Sequence, residues 1–384
     1  MKDVIIIGGG AAGLAVSSYI SLENKDMNIL LIEKKDQQGK KVAASGNGRC
    51  NISNVRCRNI EETINFFHKL GIEIQEDLEG RYYPKSNKAK DVVKALSYSF
   101  KNENINLKLN ENVEKIEKIE DCFVVKTNKN EYKGKNVVIA TGGKSSPGFG
   151  STGDGYSFAK KLGHSVNKLS PVLTSMEGNI PGSFAGVRAK GIFTLYQNRS
   201  VVFSEPGEVQ FTKDGISGIC VFNGSRFLSI DENTSFRDYK ASVDFFPETH
   251  VDQLKELIFK RLKDGRLSYE DTLLTMVNEQ IARFLLDQFA ELSFEEIAEE
   301  IGKKLKCFEI NITGASGWKN AQCTKGGIPL EEVFIDSSMS KIVDGLYFAG
   351  EILDFDGPCG GFNLQNAWDT AIKVGRKICI EYTK

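Results

Sequence analysis

Val4-Ile5-Ile6-Ile7 is a β-branched run suited to a buried parallel strand, and it is followed at once by Gly8-Gly9-Gly10-Ala11-Ala12-Gly13 and the helical stretch Leu14–Ile20. Few folds accept strand, glycine turn and helix in that order. Gly8, Gly10 and Gly13 read G-x-G-x-x-G: the first permits the turn, the second lets backbone approach a pyrophosphate, and the third lets helix and strand pack closely. A second strand, Ile29–Ile32, ends in Glu33, twenty residues beyond Gly13. An acid there accepts hydrogen bonds from ribose hydroxyls and repels a 2′-phosphate, so a dinucleotide is expected, held by Gly8, Gly10, Ala11, Ala12, Gly13, Glu33 and Lys34. Lys2 precedes an uncharged stretch from Val4 to Leu22, the outline of a signal peptide or short anchor. Three successive glycines would interrupt an insertion helix, and the βαβ reading accounts for the stretch better.

Composition adds one more clue. The chain has 384 residues, formal net charge −1, and 37 glycines against 8 prolines, and twenty of those glycines fall in four short windows. That clustering excludes collagen-like and linker classes and asks whether the windows converge on one ligand. The second window, Gly39–Asn54, is polar and carries almost no apolar periodicity. Lying directly after the adenosine-binding strand, it is where an FAD protein wraps the rest of its cofactor. Lys41, Val42, Ser45, Gly46, Asn47, Gly48, Arg49, Cys50 and Asn51 are the contacts expected there.

Ser45-Gly46-Asn47-Gly48-Arg49-Cys50-Asn51, together with Phe348-Ala349-Gly350-Glu351 and Gly360-Gly361-Phe362-Asn363, resembles the YhiN/HI0933-like flavoproteins, a family that includes BaiN-like and aminoacetone-oxidase-like members. The resemblance spans nearly the whole chain. It implies tightly but noncovalently bound FAD in an α/β, glutathione-reductase-like Rossmann domain that is discontinuous, interrupted by a β-rich and helical insert. It also implies that Asn112-Val113 lies where relatives set backbone against the adenine, and that Glu351 meets the ribityl chain.

The remaining glycine windows fit this expectation. Asn136–Ile139 is a strand running into Ala140-Thr141-Gly142-Gly143, a return that should close on the cofactor. Gly150–Gly155 precedes a helix at Tyr156–Leu162 and reads equally as ligand contact or as a helix start capped by Thr152 or Asp154. Gly345–Gly350 is a last buried strand, and from Gly360 a helix begins in which Leu364, Ala367, Trp368, Ala371 and Ile372 recur at helical spacing. The free N–H groups at Gly361, Phe362, Asn363 and Leu364 should face the flavin pyrimidine edge and stabilise negative charge there.

The domain plan is therefore 1–190 with 321–384 for FAD and 191–320 for the insert, barrel-like over 191–247 and about 306–320 and helical over 248–305. Substrate should enter where insert and FAD domain meet. Phe211-Thr212-Lys213 has Lys where many family members have His, and Gly357–Gln365 resembles the bile-acid dienone reductase branch more than the amine-oxidase branch.

Hydride transfer at flavin N5 follows, as in reduction of an enone or steroid-like molecule, with flavin amine oxidation as the alternative. Tyr83, Lys213 and Cys359 are the residue types that supply a proton, although Tyr83 beside Pro84 also reads as packing and Cys359 as a small filler. With no second glycine fingerprint, NAD(P)H must visit the flavin transiently, or a small redox protein must deliver electrons. Eight cysteines without C-x-x-C, and three histidines without ligand spacing, argue for free thiols of a reducing cytosol, no metal and no disulfide-reductase chemistry. An FAD-bearing RNA-modifying factor shares the fingerprint, but net charge −1 and only short Lys pairs predict no nucleic-acid partner and no membrane partner.

Overall fold

The computed structural model describes residues 1–102, 104–228, 230 and 235–383. The chain divides into two compact units, one of Met1–Pro171 with Gln322–Lys384, the other of Val172–Ala321.

In the first unit, strands order as Ile105–Lys108, Ile29–Ile32, Lys2–Ile7, Glu131–Ile139, Cys122–Thr127 and Val113–Ile119, with Leu346–Phe348 also pairing to Glu131–Ile139, seven in all among the described residues. The central strands run parallel, and their register matters for function. Ile7 pairs with Ile32 and Ile139, and Ile139 pairs with Phe348. Gly8, Glu33, Ala140 and Ala349 therefore all emerge from one carboxyl edge, where parallel α/β sheets bind ligands.

Strand residues alternate between two cores. Val4, Ile6, Ile29 and Leu31 pack with Leu14, Phe67 and Trp368, whereas Ile5, Ile7, Leu30 and Ile32 pack with Phe123, Tyr156 and Phe348. Apolar side chains on both faces of a strand suit a sheet covered on both sides.

The second unit contains a closed barrel whose strands order as Met176–Gly178, Gly215–Ser217, Ser200–Phe211, Arg188–Gln197, Tyr239–Asp244 and Phe308–Ala315. Helices Val251–Asp264, Glu279–Phe289 and Phe294–Lys306 share its core, in which Phe184 meets Phe211 and Phe284 edge-on. This unit starts at Val172, earlier than the expected 191. Met176–Gly178 pairs with both Gly215–Ser217 and Phe308–Ala315 and so closes the barrel, but three residues are too few to show a period of two. Within the helical stretch 248–305 the Asn278 side chain accepts from the Gln280 N–H at 2.9 Å and caps the helix Glu279–Phe289.

Among the described residues no helix is long and apolar enough to cross a membrane, and no group of three or more His, Cys, Asp or Glu is arranged to hold a metal.

Candidate cofactor site

The site is built on the carboxyl edge of the first unit. Gly8 has φ +104°, and a Cβ there would lie 2.5 Å from the Ala140 carbonyl oxygen. A Cβ on Gly13 would lie 1.9 Å from the Gly8 carbonyl oxygen. Both positions therefore exclude side chains for the close packing of helix on strand. At Gly10 a Cβ would meet nothing within 4 Å, so the turn is open on the face where a pyrophosphate would sit. The helix Ala11–Glu23 starts behind it with no side-chain cap and no acid in its first turn.

Glu33 stands beside this turn. Its carboxylate accepts from the Gly9 N–H at 2.7 Å and from the Lys35 N–H at 2.8 Å. Lys34 points elsewhere: its ammonium donates to Thr152 Oγ1 at 2.5 Å and to Asp154 at 2.6 Å, drawing segment 150–154 onto the strand end next to Glu33. Burial alone would raise the Asp154 carboxyl, but Lys34 and the Thr152 hydroxyl more than offset it and hold it below its ordinary value. The helix that follows begins behind Gly153 with no side-chain cap, so Asp154 and Thr152 belong to this clasp and are not helix caps. Val113 is buried in the sheet, and the Glu111 N–H bonded to the Glu33 carbonyl at 3.1 Å ties its strand to the same edge.

The polar window is partly helical. Lys40–Ala44 forms a short helix that buries Val42, where the lack of apolar periodicity had suggested loop throughout, because five residues give barely one turn. Beyond it Gly46, Asn47, Gly48 and Cys50 all have positive φ, from 54° to 83°. Two of these are not glycine, a strain that clusters at functional positions. The Ser45 hydroxyl donates to the Val42 carbonyl and the Cys50 N–H to the Ser45 carbonyl, so the reversal is closed from within. Burial pushes the Cys50 thiol up to about 11, so it is protonated at neutral pH and is no nucleophile. Asn51 Oδ1 is buried without a hydrogen-bond partner, and the same is true of Thr141 Oγ1 on the return strand. Orphaned polar atoms are costly to bury. Asn51 lies in the glycine loop, whereas Thr141 Oγ1 faces Gly155, where a Cβ would come within 2.1 Å of it.

Lys41 reaches across to the C-terminal part, pairing with Glu351 at 2.8 Å, while the other Glu351 oxygen accepts from the Thr324 N–H at 2.9 Å. Thr324 Oγ1 in turn accepts from the Lys144 and Ser145 N–H groups next to Gly143. This support for Glu351 has no motif around Thr324 to announce it. Gly350 and Gly142 have φ of +80° and +71° in the same neighbourhood.

The terminal helix Phe362–Tyr382 starts behind Gly361, where a Cβ would lie 2.5 Å from the Ser53 carbonyl oxygen and 2.9 Å from Asn51 Oδ1. Its first turn carries no acid and no side-chain cap. Asn363 faces back on its own loop, accepting from the Gly357 N–H and donating to the Gly357 carbonyl. Leu364 packs on the apolar core. Gln365, a role sequence reasoning missed, accepts from Ser53 Oγ at 2.6 Å and donates to Thr63 Oγ1 at 2.8 Å, while Trp368 Nε1 donates to the Ile52 carbonyl at 3.0 Å. Residues 51–54 are thereby fixed to the helix start.

Of the proton-donor candidates, Tyr83 is 5% exposed on strand Arg81–Pro84, with the Arg49 guanidinium 5.0 Å from its ring centroid. Cys359 is partly buried in the loop before Gly360, and Lys213 is exposed in the second unit, in the turn between Phe211 and Gly215.

The open turn, the uncapped helix starts and the orphaned Asn51 amide oxygen fit a dinucleotide laid along this edge. A family model described as the HI0933-like protein Rossmann domain matches residues 58–377, and one described as an FAD binding domain matches residues 3–65. The chain belongs to the HI0933-like family. It is an FAD-dependent oxidoreductase. It is 31% identical to the 3-dehydro-bile acid delta(4,6)-reductase of Clostridium scindens over 98% of each chain. It is 26% identical to the ribosomal RNA dihydrouridine synthase of Escherichia coli over 96% of each. Among solved structures, 3-ketosteroid delta1-dehydrogenase from Sterolibacterium denitrificans covers 99% of each chain with a TM-score of 0.53 at 13% identity, which is a likeness of fold.

Proposed function

We propose that this HI0933-like chain adds hydrogen across a C=C bond conjugated to a carbonyl in a small, steroid-like molecule, with NAD(P)H as the transient electron source. The observation that carries this reading is the 31% identity to a 3-dehydro-bile acid delta(4,6)-reductase over 98% of both chains. FAD, once reduced, supplies a hydride for the carbon β to the carbonyl. Everything else falls to the chain's own residues.

The Gly8–Gly13 turn and the N-terminus of helix Ala11–Glu23 take the pyrophosphate, and Glu33 takes the ribose hydroxyls. Asn51 Oδ1 gains the partner it lacks. The Lys41–Glu351 pair orders the ribityl side, and the uncapped start of helix Phe362–Tyr382 stabilises negative charge at the pyrimidine edge. Tyr83 is the proton donor we favour for the α carbon, because its ring adjoins Gly46, with a Cβ there 3.9 Å from Tyr83 Cε1, and because the Arg49 guanidinium holds that ring from one face.

A second reading is supported by the relatedness to ribosomal RNA dihydrouridine synthases. The bond reduced to give dihydrouridine is also conjugated to a carbonyl, so the same hydride-and-proton chemistry serves a different substrate. The near-neutral charge of the chain favours the small molecule. An anaerobic titration of the yellow protein with NADH and NADPH, followed by mixing with 3-oxo-Δ4 steroids, separates the readings. Reoxidation of the flavin by the enone is the expected result. Reoxidation only by uridine-containing ribosomal RNA would shift the function to RNA, and oxygen consumption with an amine but no enone turnover would leave an amine oxidase.

A further inference from the structure

Five arginines of this chain are matched to carboxylates. Arg81 pairs with Asp77 and Glu79, Arg188 with Glu208, Arg266 with Asp264, Arg283 with Glu279, and Arg376 with Glu62. Arg49 and Arg56 are set apart by what they rest on. Among the described residues neither has a carboxylate partner. Arg49 spends only Nε, on the Gly46 carbonyl at 3.5 Å, and Arg56 only Nε, on Asn54 Oδ1 at 3.3 Å. Each guanidinium is instead seated on an aromatic face, Arg49 over Tyr83 at 5.0 Å and Arg56 over Phe362 at 5.3 Å. Stacking holds the plane of a guanidinium while leaving its outer N–H fork free.

The neighbouring acids are already engaged. Asp77 and Glu79 serve Arg81, and Glu76 accepts from the Tyr82 hydroxyl at 3.1 Å. The helix beginning at Phe362 contributes its positive end and no acid in its first turn. Both arginines lie on the 45–58 segment, whose residues 51–54 are fixed to that helix start. Two stacked guanidinium groups on one segment, and the uncapped helix start to which residues 51–54 of that segment are fixed, thus bring positive charge beside the residues that would hold the flavin.

We propose that Arg49 and Arg56 form an oxyanion subsite that grips a carboxylate or phosphate on the substrate. This rests on the reductase reading above. The matching acid of the ligand would take the fork geometry in a bidentate fashion, which gives orientation as well as affinity.

The test uses the flavin-loaded protein and the shift of the flavin absorbance on binding, with two ligand pairs that differ only in charge. One pair is a saturated 3-oxo bile acid and its methyl ester. The other is uridine 5′-monophosphate and uridine. In one pair the charged member is expected to bind about tenfold more tightly than its neutral partner, the effect of hydrogen bonds to a charged group. Preference in the first pair assigns a carboxylate and in the second a phosphate. The ratio should fall to near one in Arg49→Met/Arg56→Met and recover in part in Arg49→Lys/Arg56→Lys. Equal binding within both pairs, no binding of any of the four, or a ratio that survives the Met substitutions would overturn the subsite. So would Met variants that fail to retain flavin, since the arginines would then be cofactor contacts. Failure of the reductase reading looks different: a reduced flavin that no unsaturated acid or ester reoxidises, whatever the charge ratio.

Discussion

The two units solve the same problem, how to end a helix, in opposite ways. In the second unit the long helices satisfy their own N-termini: His250 and Gln253 form a capping box before Val251–Asp264, Asn278 caps Glu279–Phe289, and Ser293 with Glu296 boxes Phe294–Lys306. In the first unit the helices that begin at the carboxyl edge, Ala11–Glu23, Asp154–Lys161 and Phe362–Tyr382, all start behind glycine with no side-chain cap. The orphaned buried side-chain atoms found among the described residues, Asn51 Oδ1, Thr141 Oγ1, Asn104 Oδ1 and Tyr132 OH, are also all in the first unit. In one unit the long helices close their own ends. The other leaves helix N–H groups uncapped along its carboxyl edge, at a cost that a bound dinucleotide is suited to offset.

Substitution at the glycine turn should break the contrast most severely. Gly13→Val puts a side chain against the Gly8 carbonyl and should yield protein without flavin, destabilised by on the order of 3 kcal/mol or more, read as the ratio of flavin to protein absorbance and as Tm. A variant that retains full flavin would remove the structural argument for this turn.

The clasp at the adenosine end should respond to pH. The Asp154 carboxyl is lowered in the folded protein, so its contribution is fully present above the unfolded value of about 3.9 and is lost as pH falls through the lower folded value. Flavin release, followed by the rise in flavin fluorescence, should therefore accelerate only in strong acid for the native chain. Asp154→Asn should already release faster at pH 7 and lose that acid dependence. An identical pH profile in both proteins would mean that the Lys34 clasp does not guard the cofactor.

The smallest effect belongs to the self-sufficient unit. Ser293→Ala removes one helix cap and should cost about 1 kcal/mol in chemical denaturation with flavin content unchanged. Loss of flavin in this variant would mean the two units are not independent in the way their helix ends suggest.

The contrast also explains what could be read from the sequence. Gly8, Gly10, Gly13 and Glu33 were legible because backbone approach imposes fixed residue types at fixed spacing, and the structure gives each a steric or hydrogen-bonded reason. The helical range 248–305 was legible too, and Val251–Asp264 and Glu279–Phe289 fall inside it, with Phe294–Lys306 running one residue beyond. What escaped was support from distant sequence: Thr324 behind Glu351, Gln365 behind Ser53, and Lys34 turned toward Asp154. Pairs such as Ser53 and Gln365 are 312 residues apart and carry no local pattern. The barrel closure failed for a related reason, since Met176–Gly178 is defined by its two partners and not by its own three residues.

Amide hydrogen exchange on the flavin-loaded and flavin-stripped protein tests the central claim most directly. Stripping should speed exchange at residues 8–13, 45–54 and 361–364, while Val251–Asp264, Glu279–Phe289 and Phe294–Lys306 keep their protection, because their ends are closed by their own side chains. Equal loss of protection in both units, or none at the glycine edge, would contradict the account.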